Sequence, residues 1–233
     1  MLGIRGEEVD ERKKLYVDER WRVSAGDVTE EKFALDQFRS SSSASDVKFT
    51  IKYFPYQLYP DASQEGEDVS EWYRNTKFHG SEEQMEKYKL LMSANGVDAG
   101  IHFKFHGSIA NSLNAHRLIQ HYQEEDGLDT ADRIVDSLYK QFFEQEKHPS
   151  AAETLTKAAT DAGIDQAKAK SFVNDEYEGL QDTKMLIREQ AGNGVDSVPY
   201  VVLEGRRRDI TLVGAKEVGE YVKEMEKIAK ETK

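Results

Sequence analysis

The chain has 233 residues, of which 38% are hydrophobic and 33% charged, and this balance is typical of a soluble globular protein with a sizeable core. Its net charge of −12 argues against a nucleic-acid partner, because phosphate binding needs clustered lysine and arginine. The sequence contains no cysteine, which excludes disulfides, thiolate nucleophiles and cysteine-ligated metal sites.

No stretch approaches the roughly 20 apolar residues of a membrane-spanning helix, and the first residues lack the apolar core of a signal peptide. We therefore expect a cytoplasmic protein that does not enter a membrane. The one basic run, Arg206 to Arg208, falls in a turn flanked by Glu204 and Asp209. We expect it to be a solvated tip and not an anion site.

The beginning of the chain predicts a strand and a helix. Residues 14–24 form a plausible but polar first strand, and Asp27 or Thr29 is expected to cap a helix that buries Phe33 and Phe38. The serine-rich stretch that follows this helix is expected to be a surface linker.

The second predicted strand covers residues 47–53, where apolar and polar side chains alternate strictly. Tyr53 falls on its apolar face and Lys52 on the other. An aromatic loop with two prolines follows, and then Trp72 and Tyr73 on a short helix.

From residue 81 to residue 192 the chain is predicted to be largely helical, apart from an alternating segment at 100–106. Glycine and proline separate the helices, which are expected at 81–96, 111–125, 130–146, 151–162, 165–174 and 176–191.

The C-terminal part predicts a β-hairpin followed by an amphipathic helix. Apolar, β-branched runs on either side of Glu204-Gly205 are typical of two paired strands, and Pro199 belongs at the first position of the first strand because it cannot donate to a ladder. The whole order is therefore β-α-β, a long helical stretch, and β-β-α.

This order resembles the DsbA-like family of thioredoxin-fold proteins, and within it the FrnE-like branch. The resemblance covers residues 15–225 and rests on Pro55-Tyr56-x-Leu58-x-Pro60, Gly100-Ile101-x-Phe103, Asn111-Ser112 with residues 115–119, and Val198-Pro199. It implies an α/β, thioredoxin-like fold with a large helical insertion. Residues 14–60 and 193–230 would form the thioredoxin-like domain, and residues 61–192 the insertion domain.

In redox-active members of this family a Cys-Pro-Trp-Cys motif lies at the start of the first helix. In this chain the motif would fall near residues 25–28, or with Ser24 at the place of the first cysteine, and the redox centre is absent. The resemblance also implies a cis Val198-Pro199 bond that faces the cleft. Relatives without the cysteine pair include kappa-class glutathione transferases and hydroxychromene carboxylate isomerases, and fungal members are associated with isomerisation or cyclisation of phenolic products.

Histidines are the natural acid and base candidates, because their unperturbed pKa lies near neutrality. We expect His106, in a loop that faces the cleft, to be the base, with His79 or Lys52 as its electrostatic partner. His116 is expected to be structural, while His121 and His148 are expected to be exposed.

These residues lead to the hypothesis of a cofactor-independent isomerase or cyclase that acts on an aromatic substrate of secondary metabolism, such as a chalcone. The substrate would be bound by the start of the first helix, by aromatic side chains and by the Val-Pro loop, that is, by Ser24, Tyr53, Trp72, Tyr73, Asn111, Val198, Pro199 and Tyr200. No metal and no cofactor is expected. The sequence leaves a homodimer open.

Two alternatives stay open at this point. One is a redox-inactive thioredoxin-fold module that binds a peptide or partner enzyme by main-chain pairing. The other is a glutathione-dependent isomerase in which the cofactor supplies the thiol, although Asp27 would place a carboxylate close to that thiolate.

Overall fold

The structure is a computed structural model of the chain. It describes residues 14–19, 25–41, 49–98 and 100–231, and the side chains of 32–41, 49–97 and 100–231. Its elements, in chain order, are β1 (Lys14–Glu19), α1 (Ala25–Arg39), β2 (Thr50–Pro55), β3 (Glu67–Asp68), α2 (Val69–Thr76), α3 (Glu82–Asp98), β4 (Ser108–Ile109), α4 (Leu113–Glu125), α5 (Leu128–Gln145), α6 (Ala152–Asp161), α7 (Gln166–Asn174), α8 (Leu180–Gly192), β5 (Tyr200–Glu204), β6 (Asp209–Val213) and α9 (Val218–Lys230).

The main sheet confirms the predicted thioredoxin-like fold. Its strand order is β2-β1-β5-β6. The strands β1 and β2 are parallel, as expected for strands joined through a helix, whereas β5 lies antiparallel to both β1 and β6. The long segment between β2 and β5 carries α2 to α8 and the short β3-β4 pair. The division into two domains at residues 60 and 193 stays a prediction.

One continuous core joins the sheet to helices from both parts of the chain. Phe38 of α1, Tyr53 of β2, and Val201 and Leu203 of the hairpin lie in it, together with Tyr221 and Met225 of α9. Phe33, which the sequence predicts to be buried, is 50% exposed. Its fully or almost fully buried members include Ala34, Leu35, Phe38, Phe49, Tyr53, Leu118, Ile119, Tyr122, Ile134, Val201 and Leu203.

Several predicted boundaries differ from the structure, among them that of the second strand, which ends at Pro55 instead of residue 53. The first helix begins at Ala25, before Asp27 or Thr29. The segment 100–106 is irregular, and the short strand follows it at Ser108–Ile109. The last helix of the insertion begins at Leu180 instead of residue 176, because the Asp175 carboxylate accepts hydrogen bonds from the backbone N–H groups of residues 177 and 178 and closes a turn there.

The fully buried Arg117 shows why part of the family-like sequence element is needed for folding. Its guanidinium donates to the backbone carbonyls of Asp175 and, at 2.8 Å, of Glu178, and it lies over the ring of Phe172 at 4.6 Å. Charge-assisted bonds of this kind hold the turn between α7 and α8 against α4. The neighbouring His116 is also completely buried, in agreement with the structural role expected for it.

The outer edge of β2 is paired with a glutamine side chain instead of a strand. Gln123 of α4 accepts from the backbone N–H of Tyr53 at 2.8 Å and donates to its carbonyl at 3.0 Å. Gln120 donates to the same carbonyl at 3.1 Å. Because an amide side chain carries one acceptor and one donor, it reproduces the pairing that another strand would supply.

At the opposite edge, the hairpin turn packs directly on α9. A Cβ atom at Gly205 would lie 2.4 Å from the carbonyl oxygen of Arg208 and 2.7 Å from the Cδ1 atom of Ile228. Only glycine fits this approach. The Arg208 guanidinium pairs at 2.5 Å with Glu231, whose side chain is 9% exposed.

Within the described ranges, every helix is too short or too polar to cross a lipid bilayer.

We predict that Gln123→Ala lowers the free energy of unfolding by about 1 to 3 kcal/mol, because the substitution removes two hydrogen bonds from a completely buried strand position. Chemical denaturation of both proteins measures the difference. Gln145→Ala, at an exposed position near the end of α5, is the matched control and is expected to change the free energy by less than about 0.5 kcal/mol. Equal effects of the two substitutions would contradict the pairing.

His121 generates a prediction on pH. Its ring stacks on Phe172 with a centroid distance of 4.1 Å, and burial lowers the pKa of the imidazole from its ordinary value of 6.5. The unfolded chain therefore takes up this proton first, and stability is lost as the pH falls through the unfolded and then the folded pKa.

Between about pH 7.5 and pH 5, we expect the wild type to lose more stability than His121→Gln. Denaturation curves at both pH values measure this. His102→Gln, at an exposed ring, serves as the control and is expected to follow the wild type. A His121→Gln protein with the wild-type pH dependence would refute the assignment.

Candidate functional site

The Val-Pro loop lies at the entry of β5. The Val198-Pro199 bond is cis, as predicted, and both residues are buried. The Pro199 carbonyl accepts from Gly214 N at 2.8 Å, and Tyr56 donates from its hydroxyl to the carbonyl of Asp196 at 3.0 Å. The loop is thus fastened both to the hairpin and to the exit of β2. Tyr200, half-buried, is the first residue of β5, whereas Ser24 lies outside the described residues.

Asn111 organises the loop that leaves β2. Its side chain accepts from Gln57 at 3.0 Å and donates to the carbonyl of Pro60 at 2.7 Å, and its oxygen also accepts from the N–H of Leu113 at the start of α4. All of its polar atoms are engaged by the chain. Asn111 therefore shapes the loop, and its predicted contact with a substrate remains a prediction.

The three predicted catalytic groups are not brought together. The His106 ring is exposed, and its backbone N–H donates to Glu146 at the end of α5. His79 is exposed in the turn between α2 and α3, where its φ of 50° is left-handed. Lys52 lies over the Phe54 ring, with Glu124 at 3.9 Å. His106, His79 and Lys52 thus contact different parts of the chain and share no neighbouring residue that the structure describes.

The predicted aromatic slot is filled by its own side chains. Trp72 packs edge-on against Tyr59 at 4.5 Å and against Tyr73, which stacks on Tyr88. The cavity beside Tyr73 measures only about 20 Å³, which is space for a single water. Core packing explains these aromatic residues, and they leave no room for a flat ligand in this cluster.

A cavity large enough for a small ligand lies elsewhere, between α1, the start of β2 and α5. Its volume is about 320 Å³, at the lower end of the range of ligand sites, and it lies between a helix that precedes β2 and a helix that follows β2 in the chain. It is lined by Lys32, Leu35, Asp36 and Arg39 of α1, by Phe49, Thr50 and Ile51, and by Leu128, Asp129, Asp132 and Asp136 of α5.

Lys32 is the central polar group of this cavity. Its ammonium lies 2.9 Å from Asp132 and also pairs with Asp136, while the hydroxyl of the fully buried Tyr53 donates to Asp132. A continuous chain of hydrogen bonds therefore runs from the sheet through α5 to α1. Tyr53, predicted to bind substrate, reaches this cavity through Asp132.

The charges in the cavity are coupled. Burial lowers the pKa of Lys32, but Asp132 and Asp136 outweigh it and hold the pKa above its ordinary value, so Lys32 stays an ammonium donor and is no nucleophile. Although 60% of the Asp136 side chain is exposed, desolvation raises the pKa of its carboxyl against the opposing Lys32. Asp136 is the group here best suited to accept and return a proton.

Sequence reasoning missed this cavity and misjudged two histidines. Asp132 and Asp136 are four residues apart and so share a helix face, which was the available signal, but Lys32 comes from a helix about a hundred positions away. His121 and His148 were expected to be exposed, yet both are half-buried. The His148 Nδ1 atom accepts from the N–H of Ser150 at 3.1 Å, which fixes the ring.

Comparison with known proteins identifies one sequence family and several solved structures of similar fold. The sequence model of the family described as DSBA-like thioredoxin domain matches residues 32–226. None of the curated proteins matches the sequence. Among solved structures, a probable DsbA oxidoreductase from Streptomyces coelicolor superposes with a TM-score of 0.77 at 16% identity, over 95% of this chain and 91% of that one.

Two further solved structures share this fold and are named for different activities. A 2-hydroxychromene-2-carboxylate isomerase superposes with a TM-score of 0.60 at 14% identity, over 94% of this chain and 97% of its own. The cytosolic disulfide reductase DsbM from Pseudomonas aeruginosa, solved with glutathione, gives 0.53 at 11% identity, over 94% and 96%. At these identities the likeness concerns the fold alone.

Proposed function

Because the chain belongs to the family of DSBA-like thioredoxin domains and yet contains no cysteine, we propose that it is an isomerase or cyclase acting on an aromatic substrate without a cofactor. Thiol–disulfide exchange needs a thiolate, which no residue of this chain supplies. The fold is compatible with isomerisation, since one structural neighbour is an isomerase by name. Closure of a chalcone-type enone is the concrete reaction we propose.

The observation that carries this proposal is the cavity between α1 and α5. In it the Lys32 ammonium, the Asp136 carboxylate and four apolar side chains face one space of about 320 Å³, and the rest of its lining is polar. Such a site combines an acid–base group, a fixed cation and a surface for a ring. Lys32 and Asp136 replace His106, His79 and Lys52 as the groups that we propose for the chemistry.

In the proposed reaction Asp136 accepts the proton of a phenol, and the phenoxide oxygen attacks the β-carbon of the enone. Negative charge then develops on the carbonyl oxygen, where the Lys32 ammonium stabilises it. The proton returns from Asp136 to the α-carbon, so that product and substrate are isomers. Asp132, fixed by Tyr53, holds Lys32 in place.

The walls also suggest the charge of the substrate. Four carboxylates and two cations line the cavity, which leaves it two negative charges in excess. An anionic carboxylate substrate would be repelled. We therefore propose a neutral phenolic enone as the substrate class.

We predict that the protein converts a neutral 2′-hydroxychalcone to its flavanone, followed by loss of the enone absorbance, and that Asp136→Asn lowers kcat by about 10² to 10⁴-fold. Asp182→Asn, the same change at an exposed position of α8, is the matched control and keeps full activity. Melting curves verify that both variants fold.

The possible results of this assay test the isomerase activity and the location of its catalytic groups separately. Absence of turnover above background for a panel of phenolic enones would overturn the isomerase and favour a redox-inactive binding module. Turnover that survives Asp136→Asn but is lost in His106→Gln would support the isomerase activity. It would place the catalytic base in the loop before β4 and not in the cavity.

A glutathione-dependent isomerase is the second candidate, and the intact Val198-Pro199 loop favours it, because an extended peptide can pair with backbone at such a loop. We rank it second because the chain itself offers Lys32 and Asp136. Calorimetric titration with reduced glutathione is expected to show no binding below the low millimolar range. Tighter binding, together with activity that requires glutathione, would reverse this ranking.

A further inference from the structure

The two edge strands of the main sheet, β2 and β6, differ in how their outer backbone groups are paired. The β2 edge is paired with Gln123, as described above, whereas among the described residues β6 is paired with a strand on one side only. An unpaired edge is a template for another strand, and proteins normally protect it with proline, lysine or a bulge. The strand β6 has none of these, and its only charged residue is Asp209 at its first position.

The hairpin's hydrogen bonds show which backbone groups of β6 face outward. At one end Gly205 N donates to Arg208 O, and at the other Gly214 N donates to Pro199 O. Bonded pairs in an antiparallel ladder alternate, so residues 210 and 212 also bond to β5.

It follows that the N–H and C=O groups of Asp209, Thr211 and Val213 point away from the sheet. Throughout the described ranges these six groups meet no hydrogen-bonding partner in the chain. Thr211 and Val213 are also exposed.

From this arrangement we infer that β6 pairs antiparallel with β6 of a second copy of the chain, about a two-fold axis at Thr211. In this register Thr211 faces Thr211 of the second copy, and Asp209 faces Val213. Each of these three pairs joins outward-facing groups on both sides, and six hydrogen bonds form. The product is a continuous sheet of eight strands. A shift by one residue would set outward groups against inward ones, so the edge fits its own copy in this register.

The charges beside the strand favour a second copy over an unrelated peptide. The same register sets the turn of one copy, with Arg206 and Arg207, beside the segment that leads into α9 of the other, where Glu217 and Glu220 are exposed. Across the part of the chain that the structure describes, none of these four side chains has an ion-pair partner. Lys216 lies in the same segment, but with Glu217 and Glu220 the segment still carries a net negative charge. Arg206 and Arg207 of each copy therefore lie beside a net negative charge of the other copy.

The dimer is expected to be weak. Two five-residue strands with their flanking turns bury less than the roughly 1,200 Å² of a standard interface, so we expect a dissociation constant on the order of 10 to 100 μM. Sedimentation of the full chain over a concentration series measures it. Thr211→Lys sets two lysines opposite each other at the axis and is expected to weaken the dimer at least about tenfold. Ser171→Lys on α7 adds the same charge elsewhere and is expected to have no effect.

The absence of cysteine allows a direct test of the register. In the wild-type background Thr211→Cys places two thiols at the axis, with Cα atoms about 5.5 Å apart, which suits a disulfide. Val213→Cys, at a position that is 46% exposed, places the two Cα atoms roughly 15 Å apart. Mild oxidation with copper–phenanthroline should cross-link the first variant and not the second.

A chain that stays monomeric at several hundred micromolar would overturn the inference, and so would equal cross-linking of both variants. Loss of the dimer in Thr211→Lys with an unchanged melting temperature supports it. Because β6 lies outside the proposed active cavity, this result and the chalcone assay can fail independently.

Discussion

The helical segment of this protein is inserted directly after an edge strand, and this position imposes the central constraint on the fold. The backbone of β2 turns the polar groups of the completely buried Tyr53 toward α4, and buried polar groups need partners. Gln120 and Gln123 supply these partners from within a helix. The pairing joins the insertion to the sheet, and the positions of α5 and of the cavity beside α1 depend on that junction.

Local patterns gave much of the fold. Alternation located β2 and the hairpin, glycine and proline separated the helices, and the Val-Pro pair identified the loop before β5. The pairs that build the cavity and protect the sheet could not be derived in this way. Lys32 meets Asp132, and Gln123 meets Tyr53, only after distant elements have packed, and in the sequence Lys32, Asp132 and Gln123 look like ordinary surface positions.

The same contrast explains the histidines. His106 looked suitable because a loop before a family-like element was expected to face the cleft, but the loop instead lies against the end of α5 through Glu146. A residue type with a useful pKa identifies a candidate, whereas the packing around it decides whether it faces a ligand. In this protein the packing favours carboxylates and a lysine at the helix interface, beside aromatic residues that are part of the core.

The close packing of Gly205 against Ile228 and the ion pair between Arg208 and Glu231 affect how this end of the molecule unfolds locally. Since the turn cannot separate from the final helix without uncovering buried apolar surface, the hairpin and α9 should exchange their amide protons as one cooperative unit. Proteolytic nicking at the arginine-rich turn, however exposed those side chains are, would then require the C-terminal helix to detach first. The β5-β6 hairpin and α9 are therefore expected to have the same free energy of local unfolding.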